Sequence, residues 1–163
     1  MKWQRNAPLP FRGYHCRMAA KDEIYDSPSS WVRTHIQNYV ETEGHKGHAW
    51  NGVYTLLLTT RGRKTGKLRR TALIYGQDGE RYVVVASKGG HPFHPAWYLN
   101  LKENPEVQIQ VAADKFTARA HTAAGAERER LWALMAEIWP DYIKYQGKTE
   151  REIPVVVLEK ITK

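Results

Sequence analysis

The sequence predicts an α+β fold that is mainly β: about six mostly antiparallel strands, with helices inserted between hairpins. Three observations predict it. Several short segments are rich in β-branched and aromatic residues, and one alternates cleanly, Val107, Ile109 and Val111 against Gln108 and Gln110. That is the period of a strand with one buried face. Most of these segments are joined by tight turns, which only antiparallel neighbours allow. Between them lie longer stretches with apolar residues at helical spacing. An antiparallel sheet of this size often curls into a barrel.

In chain order, residues 1–21 form a basic tail. Pro8 and Pro10 break any helix there, and Lys2, Arg5, Arg12 and Arg17 are scattered without period. One reading is a loose tail, with Met18 as an alternative start. The other is an arm lying on a membrane surface through Trp3 and Phe11. Residues 22–163 are read as one domain. A helix is predicted over 28–42, capped by Asp26 or Ser27 with Pro28 in its first turn. Val32, Ile36, Tyr39 and Val40 make its apolar face, and Gly44 and Gly47 end it. Strands are predicted over 53–60, 68–75, 81–87, 106–112, 115–123 and 154–158. A basic loop joins the first two, and Asp78-Gly79 marks a hairpin before the third. A short helix starts at Pro95 and ends before Pro105. A longer one covers 125–139 with Leu131, Leu134, Met135 and Ile138 inward, and a helical turn after Pro140 carries Tyr142 and Tyr145.

Composition bounds the function. The 163 residues are 42% hydrophobic, enough for a core without metals or cross-links. Cys16 is the single cysteine, so no intrachain disulfide forms, which favours a reducing compartment. No apolar run nears the roughly 18 residues of a membrane span, and the N-terminus lacks a signal peptide's apolar stretch. A cytoplasmic location is expected, peripheral at the inner membrane face if the tail acts as an arm. The net charge of +8 suits an anionic partner.

Candidate chemistry sits in few places. The segment 61–70 holds Arg61, Arg63, Lys64, Lys67, Arg69 and Arg70 with Gly62 and Gly66. Glycine-exposed amides and cations suit phosphate or carboxylate, and a solvated hairpin loop explains the same residues. Trp139, Tyr142 and Tyr145 recur every third residue, so they share a face. A phenol stays protonated at neutral pH and can donate a hydrogen bond to a substrate; an aromatic core face has the same spacing. His45/His48 and His91/His94 lie in Gly/Pro loops without a cysteine pair or carboxylate cluster, so no metal is expected. There is no Gly-x-Ser-x-Gly elbow and no Gly-x-Gly-x-x-Gly after a strand. Unaided, the residues point to an anion-binding barrel with an aromatic lip and leave the reaction open.

Five stretches narrow it: LLTTRGRKTG (57–66), VVASKGG (84–90), HPAWYLNL (94–101), WPDYIKY (139–145) and IPVVV (153–157). In this order and spacing, residues 24–161 resemble the deazaflavin-dependent nitroreductase and quinone-reductase family. The resemblance implies a split β-barrel of the FMN-binding-like type. It implies reduced coenzyme F420 as hydride donor and a quinone, enone or nitroaromatic as acceptor, in a monomer or homodimer. It assigns the cofactor's phosphate and acidic tail to Lys64, Thr65 and Gly66 and to Arg70, Thr71, Ala72, Leu73, Ile74 and Tyr75. Val85, Ala86, Ser87 and Lys88, with Ala96, Trp97, Tyr98, Leu99 and Asn100, line the deazaflavin. Tyr142 orients the acceptor, Ser87 is the second catalytic position, and Trp139 and Tyr145 complete the substrate pocket. Family members that activate nitroimidazoles carry tyrosine where Trp139 stands, which counts against nitro-drug activation more than against quinone or enone reduction. The competing readings are an FMN-using split-barrel reductase and a basic nucleic-acid-binding module. The latter lacks a helix-turn-helix, a zinc module and an RNA-binding aromatic motif.

Overall fold

The computed structural model describes residues 23–161; the expectations for the tail, for Cys16 and for a start at Met18 lie outside the described residues. The strands are β1 (Ile24–Asp26), β2 (Ala49–Trp50), β3 (Val53–Arg61), β4 (Leu68–Ile74), β5 (Gly76–Asp78), β6 (Arg81–Val85), β7 (Glu106–Val111), β8 (Asp114–Thr122) and β9 (Val155–Lys160). The helices are α1 (Ser30–Glu41), α2 (Ala96–Glu103), α3 (Gly125–Ile138) and α4 (Asp141–Gly147). The six expected strands are the six longer ones. The described residues add β1, β2 and β5, of two or three residues each, too short to show a period in sequence.

The sheet runs β1-β4-β3-β7-β8-β9-β6-β5, with β2 on β3. Every pairing is antiparallel except β1 with β4. Tyr75 alone separates β4 from β5, so one bent strand serves both ends of the order. At the bend, Tyr75 N–H donates to the Tyr54 carbonyl at 3.1 Å.

Strand β3 explains the layering. Its side chains alternate, yet it is buried along both faces. Leu56 and Leu58 enter the main core with Val84, Val156 and Leu158. Leu57 faces the other way, onto Ile36 and Tyr39 of α1. The same helix explains why Gln110, expected on a solvated face, is 7% exposed. Tyr39 bridges β3 and the end of β7: its hydroxyl donates to the Thr55 carbonyl (3.0 Å) and accepts from Ala112 N–H (2.7 Å). A second core lies under α3, where Leu131 and Met135 cover Val83, Val155 and Val157. Asp78 ties the β5–β6 turn to α3 by accepting from Arg130 and Arg81.

The start of α1 differs from expectation. Ser29 occupies the N-cap without a side-chain cap bond. Asp26 does not cap, because it lies in β1 and holds Arg70 of β4 through two hydrogen bonds (2.6 and 3.3 Å). No described helix is long and apolar enough to cross a membrane.

The turn after α1 yields a stability test. Gly44 has φ +89°, and a Cβ there would stand 2.4 Å from Ala112 Cα. Gly52 has φ +83° with open space around it. Gly52→Ala should carry only the left-handed backbone penalty, about 1–2 kcal/mol. Gly44→Ala should add about 1–3 kcal/mol of overlap with backbone that cannot move away. Urea unfolding of both variants measures the difference; equal losses would show that the end of α1 does not press on β7–β8.

Candidate active site

Two clefts adjoin on one side of the sheet and share Thr71, Lys88, Pro95 and Trp97. One, of about 650 Å³, is basic; the other, of about 510 Å³, is aromatic. Together they make one groove.

The basic end is built by the β3–β4 loop. Gly62 N–H donates to the Lys67 carbonyl (2.7 Å), and Gly66 N–H donates to the Gly62 carbonyl (2.9 Å). Gly66 turns the chain at φ +74°. The closed turn presents Arg63, Lys64 and Thr65 to the cleft. Asn100 of α2 fixes its base: Oδ1 accepts from Arg63 N–H (3.2 Å) and from the Arg63 guanidinium (3.1 Å), and Nδ2 donates to Thr60 Oγ1 (3.2 Å). Arg69 lies over the Tyr25 ring, 5.7 Å from its centre. Asp26 is the one carboxylate of the lining, and Arg70 already occupies it. Among the described residues, Arg63, Lys64, Arg69 and Lys88 have no carboxylate partner. Uncompensated cations side by side repel one another, and an anionic ligand relieves that repulsion.

The aromatic end has an indole wall. Trp31 and Trp50 stack at 6.0 Å with 17° between planes, and Trp139 follows 5.8 Å from Trp50. Tyr142 lines the cleft at 4% exposure, and its phenol has no hydrogen-bond partner among the described residues. Burial, and then Tyr145, raises its pKa, so the group is an O–H donor throughout the physiological range. His35 and Thr55 also line the cleft. Thr55 Oγ1 donates to the Gly47 carbonyl (2.7 Å), so the His35 Nε2 contact at 3.2 Å is a bond that histidine donates. Burial lowers the His35 pKa and favours the neutral ring.

The turn between β6 and α2 closes the groove. Lys88, Gly89 and Gly90 are successively left-handed, with φ of 47°, 62° and 85°. Gly90 is packed so closely on α4 that a Cβ would lie 2.7 Å from the Tyr145 carbonyl. The turn thus brings Ser87 and Lys88 into the same cleft as Tyr142 and Tyr145.

Most expected site residues meet here. Lys64, Thr65, Arg70, Thr71, Lys88, Ala96, Trp97 and Asn100 line the basic cleft. Thr71, Ala72, Leu73, Ile74, Val85 and Ser87 line the aromatic one with Trp139, Tyr142 and Tyr145. Others do not join them. Tyr75, Ala86 and Tyr98 lie in the main core, and Leu99 packs against it. Tyr75 meets His48 Nε2 at 2.8 Å, and burial with neighbouring tyrosines pushes its pKa to about 12. Tyr98, on the inner face of α2, meets Thr122 Oγ1 at 2.9 Å. Gly66 is outside both linings, and its carbonyl takes the Arg61 guanidinium at 2.6 Å. Arg70 lines the cleft, but with its guanidinium held by Asp26. Trp139, Tyr142 and Tyr145 converge from a corner, not from one helix face: α3 ends at Ile138, and Pro140 separates Trp139 from α4. Among the described residues no three His, Cys, Asp or Glu side chains gather to hold a metal. His91 Nδ1 accepts from Phe93 N–H, and His94 Nδ1 accepts from Arg151.

Sequence reasoning missed Trp31, His35 and Trp50. They come from α1 and β2, and only the β2–β3 pairing and the seating of α1 bring them to the cleft. Trp31, 62% exposed and one position off the apolar face of α1, was the available signal.

Comparisons with known proteins identify relatives of the chain. An F420H(2)-dependent quinone reductase of Mycobacterium tuberculosis is 44% identical over 133 residues, covering 79% of this chain and 89% of that protein. A solved F420-H2 dependent reductase is 43% identical, with TM-score 0.61, covering 64% of this chain and 93% of the other. A structure described as a domain-swapped dimer is 39% identical, with TM-score 0.63, covering 82% of this chain and all of its own. The haem storage protein HutZ of Vibrio cholerae, 18% identical with TM-score 0.51, shares the fold alone. The F420H(2)-dependent quinone reductase family matches over residues 31–160, and the chain belongs to that family of oxidoreductases.

Proposed function

We propose that the groove holds reduced coenzyme F420 with its phosphodiester and glutamate tail at the basic end and its deazaflavin at the aromatic end, where a quinone is reduced. The supporting observation is the uncompensated charge of Arg63, Lys64, Arg69 and Lys88 directly beside an aromatic cleft with shared walls. A ligand that is polyanionic at one end and a flat ring at the other fits that division. In this reading the sheet works as a split β-barrel, with the bend at Tyr75 as its split.

Bound there, the reduced deazaflavin supplies a hydride to the acceptor. The chain supplies placement. The loop cations and its amides bind the tail. Ser87, Val85 and Trp97 set the ring against the wall of the cleft. The indoles of Trp31, Trp50 and Trp139 exclude water and stack on a flat acceptor. The Tyr142 phenol points its O–H at the acceptor oxygen on which negative charge grows. Enones, which develop the same charge, are reduced in this reading too. Nitroaromatics are the weaker substrates because of the bulk of Trp139.

Cofactor preference is the first expected outcome. The protein should oxidise reduced F420 with a menaquinone analogue and show no turnover with NADPH or reduced FMN. Robust activity on either substitute, in a sample free of F420, would overturn the reading.

Charge removal from the loop is the second. Each charge-assisted bond contributes about 1.5–3 kcal/mol when sheltered and less at exposed Lys64. Arg63→Ala with Lys64→Ala should therefore raise the Kd for F420 on the order of tenfold or more. Melting temperature should move little. Equilibrium dialysis and a thermal melt distinguish the two effects, and an unchanged Kd removes the loop from the site.

Tyr142→Phe is the third. Loss of a bond made chiefly in the transition state should slow turnover on the order of a hundredfold. Cofactor Kd should stay within about twofold, since the ring remains. The phenol has no hydrogen-bond partner among the described residues, so the melting temperature should hold or rise. A destabilised variant with parental kcat would place Tyr142 in the scaffold.

A further inference from the structure

We infer that Arg151 is a positioning residue that sets the cofactor-side turn against the acceptor-side helix. It lies between α4 and β9, outside both clefts. Its guanidinium meets no carboxylate among the described residues. Its contacts go instead to one stretch of backbone and one ring. Nη2 donates to the Ser87 carbonyl (2.8 Å), Nη1 to the Ala86 carbonyl (3.2 Å), and Nε to the His91 carbonyl (2.8 Å). Nη1 also donates to His94 Nδ1 at 3.1 Å. The fork therefore brackets the turn on both sides of Lys88–Gly90.

That turn needs an external hold. Lys88 is left-handed without being glycine, and two left-handed glycines follow. Such backbone persists only where its surroundings dictate it. Its own bonds are few: Gly90 N–H to the Ser87 carbonyl (2.9 Å) and His91 N–H to the Lys88 carbonyl (3.1 Å).

Arg151 is in turn anchored to α4. Gln146 Nε2 donates to the Arg151 carbonyl (2.7 Å), and Gln146 Oε1 accepts from Ile153 N–H (2.9 Å). A rigid path thus runs from the helix bearing Tyr142 and Tyr145, through Gln146 and Arg151, to Ser87 and Lys88. Lysine cannot replace it, because a single ammonium on a flexible stem lacks the planar fork that spans separated carbonyls. The inference rests on the reading that the groove holds F420.

The test uses the full chain with Arg151→Gln, Arg151→Lys and, as a stability control, Ile153→Val. Ile153 is fully buried, and its side chain is outside both clefts. Both Arg151 variants should raise the F420 Kd about tenfold or more and lower kcat, as misplacement of a binding group does. They should also shift the amide resonances of Lys88 and Gly89 in the cofactor-free protein. Ile153→Val should lower melting temperature and leave Kd unchanged. Arg151 variants that melt early but bind and turn over within about twofold of the parent overturn the inference. If the loop double variant weakens binding and Arg151→Gln does not, the groove stands and Arg151 has no positioning role. If neither weakens binding, the groove reading falls and takes this inference with it.

Discussion

The architecture depends on one constraint: β3 must bury both of its faces. A strand with leucines at three successive positions cannot leave either side in water, since each exposed leucine forfeits about 1.5–3 kcal/mol. The curled sheet covers one face and α1 the other. Seating α1 there carries Trp31 and His35 to the mouth of the aromatic cleft. The site is thus a by-product of closing the core at a strand that has no outside.

The groove separates two kinds of work by environment. At the basic end, water reaches the cations, and their attraction for an anion is long-ranged but screened. At the aromatic end, indoles and a buried phenol lower the local polarity, so a single O–H donor acts at greater strength. Lys88 belongs to both ends. A ligand spanning them would meet solvated cations at one end and a less polar aromatic wall at the other.

The long strands, α2, α3 and the hairpin at Gly79 were legible because period, proline and glycine signals coincide there. The six strands of five or more residues repeat their pattern often enough to be read. The three shortest do not, and they matter: β2 positions Trp50, and β1 supplies the Asp26 that removes Arg70 from free charge. Of the residues that the motifs suggested, Thr71 to Ile74, Val85 and Ser87 come together on one cleft. Others lie apart from the cleft, because a motif carries its neighbours along. Tyr98 and Leu99 lie beside Trp97 in sequence, but helix geometry turns Tyr98 into the core and packs Leu99 against it. Of the ring residues contributed by distant elements, Trp31 left only its place off the apolar face of α1 as a trace, and His35 and Trp50 left none.

Four of the chain's six tryptophans, Trp31, Trp50, Trp97 and Trp139, line one cleft. Indole emission reports the polarity and contacts of its surroundings, so most of this protein's ultraviolet fluorescence arises within reach of whatever enters the cleft. Arrival of a flat chromophore there would drain excited-state energy from stacked donors at van der Waals range. The wall built to keep water out therefore makes the protein its own optical gauge of occupancy, with no label attached.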